Sequence, residues 1–254
     1  MTKVFVHGNP ETADVWTPLV TSLAQHGVTD TVLLSPPGFG APLPAGWQAT
    51  PANYVAWLTE QLQAIGGTID LIGHDWGAGH VFGFVAEQTG LIRSWAADCA
   101  GLLHPDYVWH DMAQVWQTEG AGEEAIAEMV AISLADRSEA YVGLGLPADV
   151  ATAMAAGCNE DMGRCILELY RAAAQPALEE LGQRVIAAAK SAGSPAGLVI
   201  DATGDPYVET ELGVAVKDLL GAQHLVLEGQ GHWWMGKDPD LAAAGLANFW
   251  KGLE

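Results

Sequence analysis

The stretch LIGHDWGAGH (residues 71–80) restricts the fold more than any other part of this chain. An apolar run ends on Gly73, a helical pattern starts at Gly77, and His74-Asp75-Trp76 lie between them. The G-x-D-x-G spacing is that of a sharp strand-to-helix turn whose central residue projects from the end of a sheet. Such a turn needs a strand before it and a helix after it. The rest of the chain should then alternate between the two.

It does alternate. Short apolar runs at 3–8, 30–35, 69–74, 92–100, 196–204 and 223–229 read as strands. Apolar residues at helical spacing over 13–27, 50–67, 77–90, 209–222 and 239–253 read as helices. Thr50 and Pro51 open the second of these with a cap and a first-turn proline. This pattern predicts a mostly parallel sheet with helices on both faces. Residues 102–189 read as helices alone, as in 106–117, 122–136 and 162–185. They are predicted to form a helical cap over the carboxyl ends of the strands, where open α/β sheets bind ligands. The expected organisation is a core of 1–101 and 190–254 with a cap of 102–189 inserted in it.

Composition narrows the partners. With 10 Lys plus Arg and a formal net charge of -21, the chain lacks the basic clusters that nucleic acid or an anionic membrane requires. Cys99, Cys158 and Cys165 are odd in number and have no zinc-type spacing, so they read as reduced thiols. The start MTKVFVHGNP has no signal-like pattern, and no apolar run is long enough for a bilayer. A cytoplasmic location is expected.

Three side chains stand at the ends of predicted strands. Asp75 is on the turn already described, Asp205 is in DATGDPYV (201–208), and His232 is in EGQGHWWMG (228–236). Their order, nucleophile then acid then histidine, together with HGNPE (7–11), resembles the α/β-hydrolases over nearly the whole chain. The resemblance implies an α/β-hydrolase fold in which the backbone N–H groups of Asn9 and Trp76 form an oxyanion hole. That family usually has two further strands before the H-G-x-P strand. Here six parallel strands are expected, in the order 2-1-3-4-5-6. The strand at 30–35 then lies at an edge, to be covered by the loop at 36–46 or by a second copy in a homodimer.

Aspartate at the nucleophile position changes the chemistry. A serine attacks acyl carbon, whereas a carboxylate doing so would give an anhydride. A carboxylate can instead attack saturated carbon and form an alkyl ester. His232, oriented by Asp205, then activates water to hydrolyse that ester. Within the family this resembles the epoxide hydrolases and the haloalkane and haloacetate dehalogenases, which need neither metal nor organic cofactor. Asp98, in AADCAG (96–101), is the rival for the acid position.

The leaving group separates the two chemistries. An epoxide oxygen needs a proton, and LELYRAAAQ (167–175) resembles the cap helix that carries a tyrosine donor in epoxide hydrolases, with Tyr170 matching it. The second donor of that family has no clear match, since Trp116 stands near its place and Tyr107 aligns imperfectly. Asn9 resembles an asparagine that helps bind halide in haloalkane dehalogenases. Fluoroacetate dehalogenases have an arginine where this chain has Trp76, which argues against a haloacid. Trp109, Trp116, Trp233 and Trp234 suggest an aromatic pocket for a small neutral apolar substrate. His80 is expected to pack one turn along the elbow helix, and His110 is a candidate to face the pocket. No histidine pair has metal-ligand spacing. The expected function is epoxide hydrolysis, with haloalkane dehalogenation as the alternative and a non-catalytic binding relative as a further one.

Overall fold

The computed structural model describes residues 1–87 and 90–254 of the 254. Six strands form one sheet: β1 (Thr2–Val6), β2 (Thr31–Leu34), β3 (Ile69–Gly73), β4 (Ile92–Ala97), β5 (Ala196–Ala202) and β6 (Gln223–Leu227). Their order is β2-β1-β3-β4-β5-β6, and every pairing is parallel. The helices that connect successive strands are α1 (Thr17–Gln25), α2 (Pro51–Ile65), α3 (Trp76–Ala86) and, later, α10 (Thr210–Leu220), and α11 (Trp234–Lys237) and α12 (Pro239–Lys251) follow the last strand.

Each element follows from local chemistry. The Thr50 hydroxyl accepts the Asn53 N–H and caps α2, with Pro51 at its first position. β3 is buried along its full length, as a central parallel strand must be, so its sequence is apolar without alternation. β4 ends at Ala97, earlier than the apolar run suggests, because Asp98 turns inward and Cys99 takes a left-handed conformation at φ 51°. The helix expected over 77–90 is α3, which starts one residue sooner, and residues 88–89 lie outside the described residues.

Between β4 and β5 the chain forms α4 (Asp111–Gln117), α5 (Ala121–Ala131), α6 (Leu134–Gly143), α7 (Ala148–Gly157), α8 (Glu160–Ala172) and α9 (Ala177–Ala189). Helices α4, α5 and α8 pack together, α6 pairs with α7, and α9 lies along α3. One apolar cluster fills each face of the sheet, built around Trp16 and Trp234 on one side and Phe82 and Trp95 on the other. A third cluster joins core to cap through Phe39, Tyr54, Trp76, Trp109 and Tyr170. The edge strand β2 remains half-buried, and the loop at 36–46 turns to the cap, where Phe39 packs on Tyr54. Among the described residues no helix is long and apolar enough to cross a membrane.

Candidate active site

Asp75 occupies the tip of the turn between β3 and α3 with φ 51° and ψ -122°. A non-glycine residue at positive φ is strained, and such strain persists only where the surroundings fix it. Here the fixing contacts are visible. The His74 N–H donates to the Val6 carbonyl at 3.0 Å, and the Asp75 N–H donates to Asp98 Oδ1 at 2.9 Å. A Cβ on Gly77 would collide with the Val6 carbonyl, and a Cβ on Gly8 would collide with the Asp75 carboxylate. Both glycines are therefore demanded by close approach, which explains the G-x-D-x-G and H-G spacings together.

The Asp75 carboxylate meets three partners in different ways. Its Oδ2 accepts the Asn9 N–H at 2.9 Å. Its Oδ1 stands 3.9 Å from His232 Nε2, near enough for attraction and too far for a hydrogen bond. His232 Nδ1 faces Asp205 Oδ2 at 2.8 Å, and since a carboxylate only accepts, Nδ1 donates. Burial raises the Asp75 pKa to about 6, against the opposing pull of His232. Burial is the largest influence on His232 and lowers its pKa, but the Asp205 hydrogen bond and the Asp205 and Asp75 charges together leave the ring above its ordinary 6.5. Trp76 opens α3 directly after Asp75, where the first N–H groups of a helix have no partner within the helix.

Beneath Asp75 lies a buried assembly that the sequence motifs touch without announcing. His74 Nδ1 faces Asp98 Oδ2 at 2.5 Å, and His74 Nε2 faces Glu11 Oε1 at 3.0 Å. Burial alone would neutralise this imidazole, but the Asp98 and Glu11 carboxylates hold its pKa well above 6.5. Burial likewise raises both carboxylates, and the His74 charge more than reverses that. The Trp234 indole donates to Asp98 Oδ2 at 2.8 Å, the Trp233 indole to Glu11 Oε1 at 2.6 Å, and the Gly8 N–H to Glu11 Oε2 at 3.1 Å. One imidazolium thus ties the elbow, through Asp98, to the H-G-N-P turn, through Glu11. Glu11 and His74 stand inside the quoted motifs. Their residue types give a signal, but their pairing is set by the fold.

A small chamber of about 20 Å³ opens over Asp75, walled by Trp76, Tyr107, Trp109, His110, Tyr170 and Tyr207 among others. Tyr170 is buried, as expected of a cap residue facing the site, and burial with the nearby Asp75 charge raises its pKa well above 10. Tyr107, which aligns imperfectly in sequence, also borders the chamber, and its hydroxyl donates to the Tyr207 carbonyl at 3.4 Å. Three expectations need correction. Trp116 does not line the chamber but packs at a tilt behind Tyr170, with ring centroids 4.8 Å apart. Trp233 and Trp234 do not line it either, because each buried indole N–H turns to a carboxylate of the assembly below. Trp109 does line it, and its indole N–H has no partner among the described residues. His80 is packed, stacked on Tyr54 at 4.5 Å and lowered to about 3 by burial.

Among the described residues, two groups bring ligand atoms within 4.8 Å of one another: Glu11, His74 and His232, and Cys99, Asp205 and His232. Both His74 nitrogens already face carboxylates, and burial with the Asp98 and Asp205 charges pushes the Cys99 thiol well above 9. The His74 contacts account for the first group, and the Asp205–His232 hydrogen bond brings together two members of the second.

The two acids are separable by experiment. Asp205→Ala is expected to lower turnover by roughly 10⁴-fold, the size of effect seen when a triad acid no longer orients its histidine. Asp98→Ala is expected to cost about 3–5 kcal/mol of stability, because it leaves the buried His74 charge short of a partner. Kinetics paired with urea denaturation of both variants tests this. A catalytic defect confined to Asp98→Ala, in a protein of native stability, would reassign the acid.

A largely buried acid on a strained strand-to-helix turn, a histidine–acid pair on later strand ends and a helical cap define the class of hydrolases built on a parallel sheet. The alpha/beta hydrolase family model matches residues 4–244, and the chain belongs to that family. No curated protein sequence matches it. Among solved structures it is similar to a haloalkane dehalogenase from Bradyrhizobium elkani, at 18% identity and TM-score 0.74, over 99% of this chain and 90% of that one. It is also similar to a bromoperoxidase from Bacillus anthracis, at 18% identity and TM-score 0.72, over 98% and 91%. A third is E-2-(acetamidomethylene)succinate hydrolase, at 15% identity and TM-score 0.71, over 98% and 91%. These relatives carry different chemistries, so the likeness is one of fold.

Proposed function

We propose that the protein opens an epoxide to a vicinal diol. An Asp75 oxygen attacks a ring carbon, the C–O bond of the ring breaks, and the departing oxygen takes the Tyr170 proton. His232 then removes a proton from water, which adds to the Asp75 carbonyl carbon. The backbone N–H groups of Asn9 and Trp76 receive the oxyanion. Its collapse breaks the ester C–O bond, the departing alkoxide takes the proton held by His232 and leaves as the diol, and the proton left on the Asp75 carboxyl returns to Tyr170, restoring the carboxylate.

The observation that carries this reading is the small chamber in which Asp75 shares walls with two phenols, Tyr107 and Tyr170. Both are held protonated, because burial first and nearby negative groups next raise their pKa values. A phenol that stays protonated is a donor at neutral pH, which an epoxide oxygen needs and a halide does not. Haloalkane dehalogenation is the second reading. It is favoured by the Trp109 indole N–H and the Asn9 side-chain amide, both buried and without partners among the described residues.

Pre-steady-state alkylation by matched epoxide and bromide substrates separates the two, with diol and halide release as readouts. Tyr170→Phe is expected to slow alkylation by epoxides by roughly 10²–10⁴-fold, the usual worth of general acid help. The same variant should react with bromides as the native protein does. A Tyr170→Phe protein that is unimpaired with epoxides, beside a Trp76→Phe protein that fails with bromides, would move the assignment to the dehalogenase.

A further inference from the structure

The chamber over Asp75 has room for about one water molecule, so it cannot hold the body of any organic substrate. A second cavity of about 860 Å³ lies directly behind it, between α2, α3 and α9. This volume is within the range of small-molecule sites, roughly 300–1,000 Å³. Trp76, Leu102 and Trp109 border both spaces and form the partition between them. The two indoles are stacked, with centroids 5.8 Å apart and an interplanar angle of 22°. Trp76 is fixed at the start of α3, whereas Trp109 stands on the loop before α4 with its indole N–H unpartnered among the described residues.

We infer that this cleft is the seat of the substrate's tail, and that the substrate is an elongated, uncharged apolar molecule whose reactive end passes the Trp76–Trp109 partition to reach Asp75. The inference rests on the proposed function only for what happens at the reactive end.

The walls determine the chemistry of the tail. Val55, Ala56, Phe82, Ala173, Leu178 and Leu181 supply apolar surface along the cleft. His80, also on its wall, is neutral because burial holds its pKa at about 3, so it offers no cation to an acid. The charged residues on the walls are Glu60, Glu87, Glu180 and Arg184, and the arginine is already paired with Glu87 at 3.5 Å. A carboxylate at the far end of the tail would therefore meet a net negative rim, while an alkyl chain meets a mostly apolar wall. Partition by two stacked indoles also fits a chain that is threaded past them and excludes a bulky substrate carried whole into the chamber.

The test uses two exposed wall positions outside the catalytic machinery, Ala56 on α2 and Ala177 on α9. Substitution of either by tryptophan fills the cleft from opposite sides, and thermal unfolding checks that each variant folds. Calorimetric titration with decanol reads the cleft without any turnover. Decanol is expected to bind the native protein, at least tenfold more weakly to Ala56→Trp and Ala177→Trp, and decanoate is expected to bind at least tenfold more weakly than decanol. Kinetics on straight-chain terminal epoxides forms the second arm. Efficiency should rise by about fourfold per added CH₂ in the native protein and stop rising in both variants, with the shortest epoxide unaffected. Decanol binding that is absent, or equal in all three proteins, overturns the cleft assignment even if epoxides are hydrolysed. Decanol binding as expected with no epoxide turned over overturns the proposed function and leaves the cleft in place.

Discussion

Asp75→Asn is expected to abolish turnover and to make the protein more stable. The loss of activity follows from chemistry, since a neutral amide has no electron pair able to displace a leaving group from saturated carbon. The gain in stability follows from electrostatics. Burial raises the Asp75 pKa from 3.8 to about 6 in the folded chain. A carboxyl whose folded value lies above its unfolded one destabilises the fold when ionised. That cost is fully present above about pH 6 and vanishes as pH falls below the unfolded value. At one pKa unit per 1.36 kcal/mol, the shift corresponds to about 3 kcal/mol at neutral pH. An asparagine keeps a carbonyl oxygen for the Asn9 N–H and removes the charge. The melting temperature should rise by several degrees near pH 8, because about 1 kcal/mol is worth roughly 2–4 °C in a chain of this size. The advantage should disappear near pH 4, where the native carboxyl is close to neutral in both states. Residual turnover above a few per cent, with no deamidation by mass spectrometry, would sink the nucleophile assignment. A variant less stable than the native protein near pH 8 would instead show that the charge contributes to holding the elbow.

That trade of stability for reactivity bears on what a sequence can convey. The order of the strands was legible, because apolar runs bounded by glycine and proline leave few ways to build one parallel sheet. The elbow was legible for a similar reason: Gly73 and Gly77 are imposed by backbone contacts, and backbone contacts leave marks on sequence. The pairing of the acids was less so. Asp98 and Asp205 both follow strands, and only the fold puts the first against His74 and the second against His232. The tryptophans were least legible. Residue type says that an indole is buried, but its direction depends on where an acceptor lies, and Glu11 and Asp98 drew Trp233 and Trp234 away from the chamber. Tyr107 was underweighted because it sits on an irregular loop, where spacing carries no register.

His232→Gln should divide the reaction in two. Attack by Asp75 needs no base, so alkylation proceeds, whereas hydrolysis of the ester needs His232. Incubation with a good substrate should raise the intact protein mass by the whole mass of an epoxide, or by that of a haloalkane less HX. The ester should map to the peptide that contains Asp75. The pH profile adds a second check. Alkylation requires the ionised carboxylate, so in the native protein it should fade as pH drops through about 6. His232 is one of the groups that lower the Asp75 pKa, so the fade should move to higher pH in the variant. Ester hydrolysis in the native protein requires neutral His232. Burial lowers that pKa, the Asp205 hydrogen bond and the Asp205 and Asp75 charges raise it, and alkylation removes the Asp75 charge. The ring should therefore lose its proton at a lower pH in the alkylated protein than in the free one. The fraction of native protein held as ester at each pH then reports how far hydrolysis lags behind alkylation. Rapid acid quench followed by mass spectrometry measures that fraction. A variant that stays unmodified under prolonged exposure to a confirmed substrate would show that His232 is needed before the carbon–oxygen bond to Asp75 forms, and the two-step mechanism would have to be abandoned.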